Sequence, residues 1–355
     1  MTEQQTTSSV KADLIFMPIM GVLYWIWMVF LAWRTNSPLN PLYGITGAPN
    51  VGTAIALLWV VAGFVLVTVS DGRKLLREKF DSTGKRITVV LTYLLVGWLI
   101  DYLPYALSNG FSWKIIYFLI FMVLPGVLVV IPWNDDDLTA NIVRFVLVLI
   151  AWAGHDAKIY QYSFAPDGYF NAINALQTVF ITLIAFAVYR NPFDETFARF
   201  DITLNDLKYG LLSLFILFAI LTPTGLYLKF LTLNPSKNPL LYLGIFVEIF
   251  VRVAIIEELI FRDILQRAAD NYFNVAESKL RSIGSLILVS LFFGLFHANN
   301  LADLTNTIIY VVFAFIAGIF YAIAWRFERR LLAAVITHVG VDLLWFTVFY
   351  AGTGA

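Results

Sequence analysis

Residues 241–273 read LYLGIFVEIFVRVAIIEELIFRDILQRAADNYF, a hydrophobic stretch that carries several ionisable side chains. It exceeds the about 20 residues with which an α-helix crosses a ~30 Å hydrocarbon core. A charged side chain at mid-bilayer costs about 2.5–3.5 kcal/mol on insertion scales, so each one in this stretch needs a physical reason. The stretch therefore indicates a membrane helix whose ionisable side chains have a functional role.

The composition of the whole chain agrees with this interpretation. Of its 355 residues 60% are hydrophobic and only 14% are charged, whereas a soluble domain carries about 25% charged residues. We therefore predict an all-α, polytopic transmembrane helical bundle of about eleven spans. The spans are predicted at residues 14–33, 51–70, 88–107, 115–132, 142–155, 172–189, 208–228, 240–272, 282–298, 304–325 and 331–350.

Lys and Arg are unevenly divided between the two sides of these spans. With the N-terminus inside, fifteen basic residues fall on the inner side and five on the outer side. The positive-inside rule therefore predicts a cytoplasmic N-terminus and an external C-terminus. The polar loop at 190–205 separates six spans from five, so we expect an N-terminal region at 1–205 and a C-terminal region at 206–355.

Several function classes are disfavoured by composition and by missing motifs. The formal net charge is zero, which argues against a nucleic-acid partner. The chain has no cysteine, which excludes disulfides, thiolate zinc sites and a cysteine nucleophile. The sequence also lacks the GxSxG, GxGD and HExxH patterns of serine, presenilin-type aspartic and metal-dependent intramembrane proteases.

The ionisable residues of the eighth span divide into two sets. At about 100° per residue, Glu248, Arg252, Glu258 and Arg262 form one stripe, with each Glu four residues before an Arg. Glu257 lies about 180° from Glu248 and has no cationic residue three or four positions away. Its carboxylate is therefore our candidate for a general base.

Two histidines follow this span, His297 in the ninth and His338 in the eleventh, and Asp342 stands four residues after His338. Glu257 and His297 each lie fifteen residues from the inner end of their spans, so they can share one depth. A carboxylate with a neutral imidazole can activate a water molecule, and a second imidazole can stabilise an oxyanion. The alternative is a zinc site with Glu257, His297 and His338 as ligands and an open fourth position.

Three short motifs occur in order on consecutive hydrophobic segments: EExxxR at 257–262, FxxxH at 293–297 and HxxxD at 338–342. In order and spacing they resemble the CPBP family of intramembrane glutamic endopeptidases, which includes CAAX prenyl proteases and bacteriocin-processing enzymes. The resemblance covers about 110 residues, from 245 to roughly 349.

The resemblance implies metal-independent proteolysis, without a cofactor, at a site that opens to the cytoplasm, in the plasma membrane if the source is prokaryotic. It implies that Glu257 and His297 activate the water, while His338 and Asp342 line the oxyanion side. The supporting residues would be Glu258, Arg262 and Phe293. The CAAX branch has Asn where this chain has Asp342, and an ionised Asp cannot donate to an oxyanion.

The expected partners are a peptide or protein substrate, with lipidated peptides included, and the bilayer itself. Two alternatives stay open, a non-catalytic scaffold or immunity protein that keeps the fold and a proton-coupled transporter. Transporters commonly show inverted repeats, and none is visible in this sequence. Neither the natural substrate nor the oligomeric state follows from the residues.

Overall fold

The computed structural model describes residues 3–31, 51–109, 115–131, 138–156, 169–189, 196–236, 238–298 and 303–351. The chain divides into two compact units, residues 1–194 and 195–355. The described helices of the first unit are α1 (Glu3–Ile26), α2 (Val51–Thr68), α3 (Ser70–Lys79), α4 (Thr83–Asn109), α5 (Ile115–Leu128), α6 (Leu138–Asp156) and α7 (Tyr169–Leu183). The π-helical turns Trp27–Leu31 and Ile184–Val188 continue α1 and α7.

The second unit is helical apart from one small ribbon. Its described helices are α8 (Leu204–Tyr227), α9 (Pro239–Tyr272), α10 (Lys279–Phe296), α11 (Leu304–Arg326) and α12 (Leu331–Thr347). The 3₁₀ turn Val275–Glu277 precedes α10. Strands β1 (Leu231–Leu233) and β2 (Phe349–Ala351) pair antiparallel, with Thr232 opposite Tyr350. The predicted all-α class is therefore confirmed, with this ribbon as an addition.

The predicted hydrophobic spans all fall on helices. Within the described ranges, seven helices are long and apolar enough to cross a membrane, and four shorter apolar helices occupy the other predicted positions. The shorter ones are Ile115–Leu128, Leu138–Ala153, Ala172–Val188 and Leu331–Thr347. Large hydrophobic side chains such as Phe215 point outwards, 73% exposed, as a lipid-facing surface requires. The chain is an integral membrane protein.

In the first unit the side chains of α7 are buried from residue 172 onward, and the helix packs against α2, α4 and α6. Tyr93 of α4 stacks on Phe180 of α7 with ring centroids 3.9 Å apart. A Cβ at Gly63 of α2 would lie 2.0 Å from the Tyr93 ring, so only glycine fits there. The division of roles between an N-terminal and a C-terminal region stays a prediction.

In the second unit, local sequence signals explain where the helices begin. Thr203 and Asp206 form a capping box at the start of α8. Asn238 caps α9, where Pro239 occupies the first turn and lacks an N–H that would need a partner. Asp303 accepts a hydrogen bond from the Asn306 N–H and so caps α11. These caps fix the residues at which α8, α9 and α11 begin.

Glycines allow the helices of this unit to approach closely. A Cβ at Gly294 of α10 would lie 2.8 Å from the Val311 carbonyl oxygen of α11. A Cβ at Gly210 of α8 would lie 2.9 Å from the Ala333 carbonyl oxygen of α12. Small residues serve the same purpose at many membrane helix interfaces, where packing rather than hydrophobicity drives association.

Arginines near the basic loops of the second unit are held in ion pairs. Arg326 lies 2.5 Å from Asp270, and Arg330 lies 2.9 Å from Asp206. Burial disfavours the charge on Arg330, but the hydrogen bonds to Asp206 outweigh it and raise the pKa of the guanidinium. These arginines therefore link the ends of different helices through ion pairs. They also contribute to the positive charge of the basic loops.

Candidate active site

The helix that carries the two adjacent glutamates is not uniformly α-helical. The α-helical turn Ile255–Glu258 lies between two π-helical segments, Ile249–Ala254 and Leu259–Gln266. A π segment changes the angle between successive side chains, and such segments occur frequently at functional sites. The prediction from spacing assumed a constant α-helical angle, and the hydrophobic pattern contains no signal for this change.

Both ion pairs predicted within α9 are present. Glu258 and Arg262 are fully buried, and their side chains lie 2.9 Å apart. Glu248 and Arg252 lie 2.5 Å apart and are also buried. Two further side chains of α9, Asp263 and Arg267, form a buried pair at 3.0 Å that was not predicted from the sequence.

The Asp263 pair joins three parts of the second unit. Asp263 accepts hydrogen bonds from the Trp325 indole N–H at 2.9 Å and from the Ala198 backbone N–H at 2.8 Å. Trp325 is fully buried, so it is a core residue of this network rather than a lipid-facing one. The network fixes the end of α9 that follows the two glutamates.

His338 lies between three carboxylates. Its Nδ1 lies 2.7 Å from Glu258 Oε1, and its Nε2 lies 3.4 Å from Asp342 Oδ2 and 3.9 Å from Glu257 Oε2. An ionised carboxylate only accepts hydrogen bonds, so Nδ1 is the donor to Glu258. Simultaneous donation from Nε2 to Asp342 would require the imidazolium form.

His297 is the second histidine that lies near Glu257. Its Nδ1–H donates to the Phe293 carbonyl oxygen at 2.8 Å, because a carbonyl oxygen can only accept. In the neutral ring Nε2 then has the lone pair, and it lies 3.9 Å from Glu257 Oε2. The same glutamate oxygen thus faces one nitrogen of each histidine, at a separation too long for a direct hydrogen bond.

Exposure divides the cluster into a buried set and a more accessible set. The side chains of Glu258 and Arg262 are 0% exposed and that of His338 is 3% exposed. Glu257, His297 and Asp342 are more accessible, at 14%, 15% and 26%. A small molecule that enters the site therefore meets these three groups first.

Phe293 lies at the centre of the aromatic contacts. Its ring centroid lies 4.7 Å from that of His297 and 6.0 Å from that of His338. The guanidinium carbon of Arg262 lies 5.2 Å from the Phe293 centroid, within the range of a cation–π interaction. Phe293 therefore packs against both histidines and Arg262.

Helix α11 adds a wall to the site that was not predicted from the sequence. Tyr321 stacks on His338 with centroids 4.7 Å apart and planes inclined by 15°. Tyr310 meets His297 edge-on, with centroids 5.5 Å apart. Eleven residues are about three helical turns, so both tyrosines share one face of α11. The spacing of the two tyrosines is visible in the sequence. However, the sequence pattern of an apolar span does not distinguish aromatic residues that face a site from those that face lipid.

The comparisons with known proteins agree with this geometry. Residues 238–344 match the family model described as type II CAAX prenyl endopeptidase Rce1-like. The match confirms the resemblance to the CAAX proteases. It covers less than a third of the chain and includes all three motifs. Neither the curated proteins nor the solved structures gave a match to this chain.

At family level, the match makes this region, called the Rce1-like region below, similar to an intramembrane protease of the CAAX type. It comprises α9, α10, α11 and most of α12. The structure brings Glu257, Glu258, His297, His338 and Asp342 into one cluster, as the motifs suggested. The catalytic and supporting roles of these residues remain proposals.

His297 of the Rce1-like region lies at a helix end. Helix α10 begins at Lys279, beside the basic loop, and ends at Phe296, so His297 is the C-cap residue at the opposite end. The sequence predicted His297 at one depth with Glu257, in a cavity that opens towards the basic side. The cluster is present, but His297, its member on α10, lies at the end of that helix that is farthest from the basic loop.

No group of three or more His, Asp and Glu side chains has the arrangement of a metal site in the part of the chain that the structure describes. The zinc alternative would use Glu257 and the Nε2 atoms of His297 and His338. Both Nε2 atoms lie 3.9 Å from the same Glu257 oxygen. A chelator distinguishes this alternative from activation of water by the glutamate.

Proposed function

We propose that the Rce1-like region is an intramembrane endopeptidase that hydrolyses a peptide bond with a water activated by Glu257 and His297, without a metal. The observation that carries the proposal is the 3.9 Å separation between Glu257 Oε2 and His297 Nε2. Both atoms accept hydrogen bonds when the carboxylate is ionised and the imidazole is neutral. One water molecule can donate a hydrogen bond to each of them across such a gap.

In this mechanism the water oxygen attacks the carbonyl carbon of the scissile bond while Glu257 takes one water proton. The carbonyl π electrons move to oxygen and form an oxyanion. When the tetrahedral intermediate collapses, the C–N bond breaks and the proton held by Glu257 passes to the leaving amine. The products are a carboxylic acid and an amine, and the glutamate returns to its ionised form.

His338 is the proposed donor to the oxyanion. Its Nδ1–H is engaged by Glu258, so the protonated ring presents Nε2–H towards the side of the site where Asp342 lies. Glu258 is in turn held by Arg262, which makes these two residues supporting groups. Asp342 takes the role of an acceptor that orients His338, because an ionised carboxylate cannot donate to an oxyanion.

The proposed substrates are apolar peptides, either prenylated CAAX peptides or leader-type peptides. Residues 206–355 would form the catalytic region, and residues 1–205 would have a separate role. The membrane orientation is proposed from the Lys and Arg distribution, with the N-terminus in the cytoplasm. If the source is prokaryotic, the membrane is the plasma membrane. Access from the cytoplasm belongs to the same proposal, and it requires a cavity that runs along α10 from the basic side, because His297 lies at the far end of that helix.

The test is cleavage of a panel of prenylated CAAX and leader-type peptides by the purified full-length protein. Wild type is compared with Glu257→Gln and His297→Ala, each with and without a chelator. The matched control is Glu277→Gln, because Glu277 is 67% exposed and lies outside the site. We expect the control to cleave like wild type and both site variants to lose cleavage, with no effect of the chelator.

Two results would contradict the proposal. Cleavage abolished by the chelator would make Glu257, His297 and His338 metal ligands instead. Cleavage retained by Glu257→Gln at the wild-type rate would remove Glu257 from the chemistry.

A further inference from the structure

Tyr321 belongs to α11, which carries none of the three motifs, yet its ring makes the closest aromatic contact to His338 that the structure describes. The two rings are nearly parallel, at 15°, with centroids 4.7 Å apart. Tyr321 is 2% exposed, so its ring is fixed by its surroundings. On α11 it lies one turn after Gly318, where a Cβ would contact both Phe293 and Arg262.

The hydrogen bond to Glu258 does not by itself fix the orientation of His338. A single contact between Nδ1 and Glu258 Oε1 holds one edge of the imidazole but allows the ring to tilt about that contact. A flat ring stacked on one face of the imidazole opposes this tilt. The Phe293 ring lies edge-on to both rings, at 86° to His338 and at 79° to Tyr321. It therefore completes the aromatic packing around His338.

The direction of Nε2 depends on the same tilt. With the ring plane as it stands, Nε2 lies 3.4 Å from Asp342 Oδ2 and 3.9 Å from Glu257 Oε2. A rotation of the ring plane would move Nε2 away from these oxygens and from the place where an oxyanion would form. Misplacement of a reacting group by about 1 Å can cost about 100-fold in rate.

We propose that Tyr321 is a positioning residue that holds the plane of the His338 ring, so that Nε2 points at the reacting carbonyl group. This inference rests on the proposed endopeptidase function. The aromatic ring, and not the phenol hydroxyl, performs the role. Tyr310, on the same face of α11, meets His297 edge-on and so does not fix a ring plane in the same way.

The experiment compares Tyr321→Phe, Tyr321→Leu and Tyr321→Met in the full-length protein. Tyr209→Leu is the control, because it removes a ring that stacks on Phe327 at 4.2 Å, outside the site. We expect Tyr321→Phe to keep the wild-type kcat. The Leu and Met variants should lose about 10- to 100-fold in kcat with little change in KM.

A second readout does not depend on cleavage. NMR of ¹⁵N-labelled histidine reports the proton that His338 Nδ1 shares with Glu258. This signal should be present in wild type and Tyr321→Phe, and shifted or broadened in Tyr321→Leu and Tyr321→Met. If the signal responds in this way but wild type cleaves no peptide, the proposed function has failed and the positioning role stands.

The positioning role is overturned by any of three results. The first is a normal kcat and an unchanged His338 signal in both Tyr321→Leu and Tyr321→Met. The second is an equal loss in Tyr321→Phe and Tyr321→Leu, which would assign the role to the hydroxyl. The third is an equal loss in Tyr209→Leu, which would show a general effect of removing a stacked ring.

Discussion

Replacing Arg262 with Met removes the cation of a fully buried pair and leaves Glu258 as a carboxylate that, among the described residues, keeps its contact with His338. Breaking a buried ion pair from one side costs about 3–5 kcal/mol, because an uncompensated charge remains in a low dielectric. The substitution also removes the cation–π contacts of Arg262 with Phe293 and Tyr321. We therefore expect the free energy of unfolding to fall by about 3–5 kcal/mol.

The chain contains a matched pair for comparison. Arg281 and Glu277 are also four residues apart and also lie at 2.9 Å, but their side chains are 51% and 67% exposed. An exposed pair is worth about 0–1 kcal/mol, so Arg281→Met should change the stability by no more than that. The two variants share the substitution and the pair geometry and differ in burial.

The assay is SDS-induced unfolding of the purified protein in mixed micelles, followed by circular dichroism. A double variant with Arg262→Met and Glu258→Gln completes a mutant cycle, because Gln removes the stranded charge and can still accept from His338 Nδ1. We expect the double variant to be more stable than Arg262→Met alone. Equal losses for Arg262→Met and Arg281→Met would refute the reasoning from burial.

Two further predictions test packing and topology. Gly294→Ala should lower the free energy of unfolding by about 1–3 kcal/mol, since its Cβ would lie 2.8 Å from the Val311 carbonyl oxygen. Gly284→Ala, where a Cβ meets nothing within 4 Å, should show no loss in the same SDS assay. Because the native chain has no cysteine, Arg281→Cys and Ala298→Cys give single reporters at the two ends of α10. An impermeant maleimide should label residue 281 from the cytoplasmic side and residue 298 from the opposite side, and labelling of both from one side would contradict the predicted span.

The parts of the fold that sequence reasoning predicted are those set by local chemistry. Hydrophobic length located the membrane helices, because each span must satisfy its own backbone hydrogen bonds in lipid. Helical spacing predicted the pairs Glu248–Arg252 and Glu258–Arg262, because residues four apart are neighbours on any α-helix. Both inferences need only residues that are near one another in the chain.

The parts that it missed depend on contacts between distant segments. Asp263 receives hydrogen bonds from Ala198 and Trp325, which are 65 and 62 residues away along the chain. Tyr321 lies in an apolar span where a ring can face lipid, a core or a histidine of the candidate site with the same sequence pattern. The π segments of α9 were likewise missed, because no residue type marks them.

The adjacent glutamates show how a single position along a helix can separate two roles. Glu258 faces Arg262 and His338 and is 0% exposed, so its charge is matched and its geometry is fixed. Glu257 points to another side of the same turn, is 14% exposed and faces the Nε2 atoms of His297 and His338. If the two side chains exchanged environments, the buried Arg262 would lose its partner and the accessible side would lose the carboxylate that we propose as the base. The order Glu257–Glu258 followed four residues later by Arg262 is therefore a structural requirement, since only the second glutamate can pair with that arginine at i,i+4 spacing.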